Sequence, residues 1–291
     1  MFIANGKFVN GRIIYFGQRQ CSTNLFPRTE FIDIREASKN VFHVRLNRPQ
    51  SRNAFTLPLW RELRSTMDFL ATYSKCRSIV ISAAGKSFCT GIDLKEGITV
   101  CMDISRKSRL IRDLIAVCQD SFTSLEKCPK PIVAAVHNHC IGAGVSLITA
   151  ADIRYASADA IFSIREVHIG LAADVGILNR INRIVGNDSL TRELAFTGRD
   201  IGSSEALKYG LISRQFATAE ECLNGALNLA REIARRSPIA VQGTKLTLNY
   251  SRNHNIDDSM NFIRTWNQSQ LQSDDLVKAA LLKEKAHFDD I

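Results

Sequence analysis

The apolar positions of this chain recur in short blocks, and the spacing within each block predicts an element. Phe31-Ile32-Asp33-Ile34 reads as a strand, and Ser38-Lys39-Asn40 turns it. Phe42, Val44 and Leu46 alternate with His43 and Arg45 in a second strand, which Asn47-Arg48-Pro49 ends. From Thr56 to Tyr73 the period changes: Leu59, Leu63, Met67 and Leu70 fall on one helical stripe, with Pro58 in the first turn where its missing N–H costs little. Ser78–Ser82 is a short buried strand, and Gly85 and Gly91 mark sharp turns or close approaches after it. Met102–Lys127 predicts one long helix with Ile104, Ile111, Leu114, Ile115, Cys118, Phe122 and Leu125 on its apolar face. The opposite face carries Arg106, Lys107, Arg109 and Arg112, read as a solvated basic face rather than a phosphate contact.

The stretch from Lys130 to Gly176 organises the rest. It opens with an apolar run, Pro131–Val136, and breaks at His137-Asn138-His139. The small-residue turn Gly142-Ala143-Gly144 then opens a buried helix, Val145–Ala151. Two carboxylates eight positions apart close it: Glu166, just past the strand-like Ala160–Ile164, and Asp174 in the nearly charge-free Leu171–Gly176. Beyond it, Ile177–Val185 and Ser189–Phe196 predict helices, Ser203 or Ser204 caps a short helix ending at Gly210, and Leu211–Phe216 predicts a last strand. From Thr218 the pattern is helical, interrupted at Ser237-Pro238 and at Asn253–Asn255. Strand–helix alternation followed by helices predicts an α/β core at 30–217 with a C-terminal helical subdomain at 218–291.

Charge changes the picture only at the N-terminus. The net charge is +9 over 291 residues, yet no acidic residue precedes Glu30, while Lys7, Arg12, Arg19 and Arg28 do. Removing residues 1–29 leaves 34 basic against 29 acidic side chains. An acid-free, Arg-bearing leader interleaved with apolar residues resembles a mitochondrial presequence, the alternative being a disordered tail. The C-terminal Phe288-Asp289-Asp290-Ile291 is not a peroxisomal SKL address. The longest uncharged run, Pro131–Ala151, carries a polar HNH in its middle and fits a strand, turn and helix better than a membrane span. Eight cysteines form no CxxC and complete no zinc spacing with histidine, so a reducing compartment and no metal are expected.

The chemistry rests on two constellations. A helix start rich in small residues presents free backbone N–H groups, which suit a negative oxygen. Two such turns, Cys89-Thr90-Gly91-Ile92 and Gly142-Ala143-Gly144, can aim two donors at one carbonyl, although glycines after strands are more often simple turns. The acid pair can move protons if burial raises a carboxylate toward neutrality. The plainer readings are an N-cap for Asp174 and, for Glu166, an ion pair with Arg165 or with another strand. No Walker loop, GxGxxG, GxSxG or HExxH is present, and His137 and His139 read as turn residues.

From about Phe31 onward the chain resembles the crotonase (enoyl-CoA hydratase/isomerase) superfamily. The resemblance is carried by Leu46–Pro49 with Arg52-Asn53-Ala54, by Gly85–Leu94, by Pro129–Val136 and by the Gly142 turn. Within it, Glu166–Gly176, Glu193–Arg199, Ser237–Gln242 and Trp266-Asn267 with Leu271-Gln272 are similar to the Δ3,5-Δ2,4-dienoyl-CoA isomerases. The resemblance implies a spiral of ββα units, a helical tail used for trimers that pair into hexamers, an acyl-CoA thioester substrate and no cofactor, since CoA is part of the substrate. It assigns the oxyanion-hole donors to Ile92 and Ala143 and the proton shuttle to Glu166 and Asp174; Arg52 is a weak candidate for CoA contact.

Two positions depart from the family. Ser146 stands where hydratases carry the first of two glutamates, and where the dienoyl isomerases carry Asp; Ala143 stands where glycine is usual. Loss of that acid argues against hydration and leaves isomerisation by the Glu166–Asp174 pair. The expected activity is therefore a mitochondrial-matrix isomerase of unsaturated acyl-CoA, with peroxisomal or cytoplasmic placement as alternatives and nucleic acid an unexpected partner. The competing readings are a Δ3-Δ2 enoyl-CoA isomerase using Glu166 alone, and a weakened paralogue that binds acyl-CoA or RNA.

Overall fold

The computed structural model describes residues 26–94 and 103–291, together with two short paired strands, β1 (Lys7–Val9) and β2 (Arg12–Ile14). Most of the predicted leader therefore lies outside the described residues. Its last part does not: Phe26 packs edge-on against Phe42, Phe69 and Tyr73 and belongs to the core.

The first strands show why the alternation was readable. β3 (Ile32–Ser38) pairs antiparallel with β4 (Val41–Leu46), and Asn40 makes the turn with a φ of 65°. Phe42, Val44 and Leu46 point into the main core, where each fully buried large apolar side chain contributes about 1.5–3 kcal/mol. His43, expected on a polar face, is instead buried, because that face is covered too. It meets Ser82 Oγ at 2.7 Å, and burial with Arg35 and Arg45 nearby lowers its pKa to about 4.

After α1 (Leu57–Thr72) come β5 (Ser78–Ala83), α2 (Ile104–Lys127), β6 (Ile132–Val136), β7 (His139–Ile141) and α3 (Ala143–Ala150). β8 (Ile153–Ser157), β9 (Ile161–Ser163), α4 (Ile177–Val185) and α5 (Asp188–Thr197) follow. Then come β10 (Ile201–Gly202), α6 (Ser203–Lys208) and β11 (Arg214–Phe216). Six strands form one sheet in the order β11-β8-β6-β5-β4-β3, parallel except for the β3–β4 pair; β10-β9-β7 form a second. The units β6-β7-α3 and β8-β9-α4 each put one strand in each sheet and then a helix. This is the ββα spiral.

A parallel sheet of this kind is covered on both faces, so its strands read as continuous apolar runs. One face packs Ile79, Ile81, Ile132 and Ala134 against α1, α3 and the C-terminal end of α2. The other packs Val41, Val80, Val133 and Tyr155 against α7 (Ala219–Ala234). The first helix of the predicted 218–291 subdomain is thus part of the core. The remaining helices, α8 (Pro238–Ser251), α9 (Ile256–Gln270) and α10 (Asp274–Leu282), break at the two predicted interruptions and at a third, between Gln270 and Asp274, that the pattern did not predict. They are joined to the core by buried Lys245, whose Nζ reaches Asp152 Oδ2 at 2.7 Å and the carbonyls of Leu125 and Lys130.

Two sequence expectations fail in instructive ways. The apolar stripe of α2 is buried only at Phe122 and Leu125, against Phe55 and Trp60; Ile111, Leu114 and Ile115 are half-buried and Ile104 is 84% exposed. Neither Ser203 nor Ser204 caps α6: Gly202 is the N-cap, and the Ser203 hydroxyl donates to Ala158 O instead. No helix among the described residues is long and apolar enough to cross a membrane.

Candidate active site

The two turns come together through backbone bridges. Cys89 pairs with Cys140: Cys89 N–H donates to His139 O and Ile141 N–H donates to Cys89 O, both at 2.9 Å. Gly144 has to be glycine at this junction, since a side-chain carbon there would lie 2.9 Å from Cys89 Cβ and 3.1 Å from its carbonyl. On the other side Phe55 bridges to Ile92 through Phe55 N–H to Gly91 O (2.8 Å) and Asp93 N–H to Phe55 O (2.9 Å). A parallel bridge of this pattern leaves the N–H of Ile92 itself turned away from Phe55. Ala143 is the first residue of α3, where helical N–H groups have no partner within the helix; the preceding Gly142 N–H is already donated to Ser163 O. The methyl of Ala143 is buried, so this departure from glycine fits within the fold.

The loop carrying Ile92 is held by residues whose role the sequence alone did not reveal. Asn53, fully buried with a φ of 56°, donates through its side chain to Ala84 O and Ser87 O and accepts from Arg48 N–H. Arg48 also pairs with Asp93 at 3.3 Å. An Asn between Arg and Ala is a signal for this only to a reader who asks which residue can take a left-handed conformation and still bond three backbone groups. Arg52 beside it is exposed and has a φ of 48°.

Glu166 begins a short 3-10 turn immediately after β9, as expected for a residue beyond a strand end. Its carboxylate lies over Gly142: Oε1 and Oε2 are 3.1 and 3.7 Å from where a side-chain carbon on that glycine would be. Burial, reinforced by the charge of Asp174, pushes its pKa above the usual carboxylate range. Oε2 is sealed from solvent without a hydrogen-bond partner among the described residues, and so is the hydroxyl of Ser146 on α3. The ion-pair alternative for Glu166 does not hold, because Arg165 pairs with Asp200.

Asp174 lies on the loop between that turn and α4. Its neighbours Ala173 and Val175 are buried and anchor the loop, and its carbonyl accepts from Gln119 Nε2 at 2.6 Å. The carboxylate is exposed rather than desolvated, contrary to expectation, and it caps nothing: α4 starts from Gly176 with no side-chain cap. Burial and the nearby Asp174 charge together raise the Cys118 thiol to about 11, which locates Asp174 beside α2. A cavity of about 990 Å³ opens on the far side of this loop, between α2, α4, α8 and α9; it reaches Gln119, Val175 and Gly176 but neither acid. No cluster of metal-ligating side chains occurs among the described residues.

A buried carboxylate over Gly142, at the first turn of α3, is followed by a second acid farther along the same loop. Residues 36–290 match the family described as Enoyl-CoA hydratase/isomerase, and the chain belongs to that family. It is 47% identical over 255 residues to the mitochondrial Delta(3,5)-Delta(2,4)-dienoyl-CoA isomerase of Rattus norvegicus, covering 86% of this chain and 78% of that protein. Identity to the mitochondrial Homo sapiens enzyme of the same name is 48% over the same shares, and to the peroxisomal Arabidopsis thaliana one 40%, covering 87% and 94%. Among solved structures it resembles a putative enoyl-CoA hydratase from Streptomyces coelicolor (TM-score 0.81, 26% identity, 93% and 97% coverage). It also resembles one from Thermobifida fusca in complex with CoA (TM-score 0.75, 28% identity, 86% and 95% coverage).

Proposed function

We propose that this protein is a Δ3,5-Δ2,4-dienoyl-CoA isomerase acting in the oxidation of unsaturated fatty acids. The observation that carries the reading is the position of Glu166. Its carboxylate rests on Gly142, directly before the Ala143 donor. A thioester oxygen held by Ile92 and Ala143 N–H groups places the adjacent carbon, C2, next to Glu166. Asp174 then serves the remote end.

The electron movement follows from that arrangement. Glu166 takes a proton from C2, and that bonding pair forms C1=C2 as the C=O pair moves to the thioester oxygen; on collapse the oxygen pair re-forms C=O and the C1=C2 pair becomes C2=C3. The C3=C4 pair moves to C4=C5, and the C5=C6 pair collects a proton at C6 from Asp174. The intervening dienolate carries its charge on the thioester oxygen, where preorganised N–H groups act most strongly. The raised pKa of Glu166 makes it a better proton acceptor once ionised. The thioester itself acidifies C2, so the chemistry asks for no group beyond the CoA of the substrate. Ser146 in place of an acid removes the second carboxylate that water addition would use. The exposed apolar side chains of Val167, Ile169 and Leu171, with half-buried Ile111, Leu114 and Ile115 on the same face of α2 as Cys118, fit an acyl chain.

The same reading covers assembly and location. Leu248, Ile256, Met260, Leu271, Val277 and Leu281 on and beside α8–α10 are 57% exposed or more, an apolar surface that supports self-association as a trimer or a pair of trimers. The mitochondrial names of the rat and human relatives support the mitochondrial matrix. Purified protein given 3,5-octadienoyl-CoA is expected to form the conjugated 2,4-dienoyl product, followed by its ultraviolet band. CoA binding without any turnover contradicts the reading and favours a binding paralogue.

A further inference from the structure

Two side-chain oxygens in this site are buried without a partner among the described residues, and both belong to residues in contact with Gly142. Glu166 Oε2 lies 3.7 Å from the side-chain position of Gly142. Ser146 stands one helical turn above Gly142, to which it is tied by its N–H to Gly142 O bond of 3.0 Å, and it is fully buried. Helical side chains lean toward the N-terminus, so the Ser146 hydroxyl is directed back toward the turn on which the carboxylate rests. Buried polar atoms are nearly always paired, either with protein or with ordered water.

We propose that Ser146 is a positioning residue for Glu166: its hydroxyl donates a hydrogen bond, bridged by one buried water, to the inner carboxylate oxygen Oε2. The link holds the base against Gly142 and stabilises its ionised form, opposing the effect of burial. Among the described residues, the only other group that favours the ionised carboxylate is the backbone N–H of Glu166 itself. Helix α3 reads Ala-Gly-Val-Ser-Leu-Ile-Thr-Ala and carries no ionisable side chain. Arg165 on the Glu166 turn is engaged with Asp200, and His168 with Thr197 O. Thr149, the other buried hydroxyl of α3, donates to Ser146 O. Among the described residues, Asp174 is the one charged group acting on Glu166, and its charge works in the opposite direction. A serine here therefore does what a second acid could not, since a like charge would push the base further from ionisation.

The proposal rests on Glu166 as the base, but its test does not require turnover. Protein carrying 13C-carboxyl-labelled glutamate is titrated by NMR without substrate, with Glu166→Gln identifying the resonance. Ser146→Ala is expected to raise the Glu166 pKa by about one unit and to move the acid limb of kcat/KM with it, while Thr149→Ala leaves both in place. Alanine is a better helix former than serine, so Ser146→Ala is expected to fold, which the melting temperature checks. A Glu166 pKa within about 0.3 units of wild type in Ser146→Ala overturns the proposal, whatever happens to activity. A wild-type protein that lacks isomerase turnover yet shows the pKa shift overturns the functional reading and leaves the Ser146–Glu166 link standing.

Discussion

The carboxylate of Glu166 rests on Gly142, with Oε1 3.1 Å from the place a side-chain carbon would take. That glycine has a φ of 53° and a ψ of −113°, a conformation that residues with a Cβ avoid. It also immediately precedes Ala143, so in the proposed mechanism one residue sets both the base and half of the oxyanion hole. Gly142→Ala is expected to lower kcat by about 10²-fold or more through misplacement of the base, with CoA binding retained. Steady-state kinetics together with CoA titration check the split; loss of CoA binding alone contradicts it.

Glu166 also makes a statement about stability. Its folded-state pKa is raised, so the native protein binds its proton more tightly than the unfolded chain does. Stability attributable to this group therefore falls as pH rises from the unfolded value of 4.5 through the raised folded value, and the penalty is complete above it. Glu166→Gln removes the charge. It is expected to abolish most activity, by about 10²–10⁴-fold, while raising the melting temperature at pH 8 by about 1–3 °C. Repeating the thermal melt near pH 4 should show that gain shrinking; a gain that is constant across pH argues against a buried, strained base.

The proposed oxyanion hole depends on the contact between its two turns. A methyl group on Gly144 meets Cys89 at 2.9 Å, and neither the bridge to Cys140 nor the fully buried Cys89 can yield cheaply. Gly144→Ala should separate the turns and cost about 10²–10³ in kcat, with smaller changes in KM. Equal activity in the variant would show that the donors are not held by this contact.

One buried amine stands out among the contacts that tie the helical tail to the core, which also include Arg252 with Glu126 and Asn249 with Glu126 O. Lys245 is 6% exposed and its three acceptors, Asp152, Leu125 O and Lys130 O, come from the core. Lys245→Ala removes the cation beside the Asp152 carboxylate, which keeps the Ile132 N–H, and takes the amine from the two carbonyls, so it should destabilise the protein by about 3–5 kcal/mol in urea unfolding. A loss below about 1 kcal/mol would mean that the apolar contacts of α8 hold the tail unaided.

How far the sequence could be read depends on whether one residue's neighbours suffice to explain it. Alternation in Phe42–Leu46 and the four-residue stripe of α1 located those elements, because each answers to its own buried face. The breaks at Ser237-Pro238 and Asn253–Asn255 were legible for a similar reason: a proline and capping residues act locally. His43 was misread because its burial comes from α7, nearly two hundred residues later. Glu166 and Asp174 could be singled out by chemistry, but their environments could not. Glu166 is desolvated by Gly142 and α3, while Asp174, in the more apolar stretch, is held outward by the burial of Ala173 and Val175. The links Asn53 makes to Ala84 and Ser87, and those of Lys245, are long-range, and no spacing announces them.

The central claim is that Glu166 serves C2 and Asp174 serves C6 of one dienolate. It is tested most directly by incubating 3,5-octadienoyl-CoA in D₂O with wild type, Glu166→Gln and Asp174→Asn, and locating deuterium by mass spectrometry and NMR. Asp174→Asn is expected to exchange the C2 hydrogens of unreacted substrate while forming little 2,4-dienoyl product, and Glu166→Gln to do neither. An Asp174→Asn variant that forms product at the wild-type rate would contradict the account and leave Glu166 as the sole proton carrier.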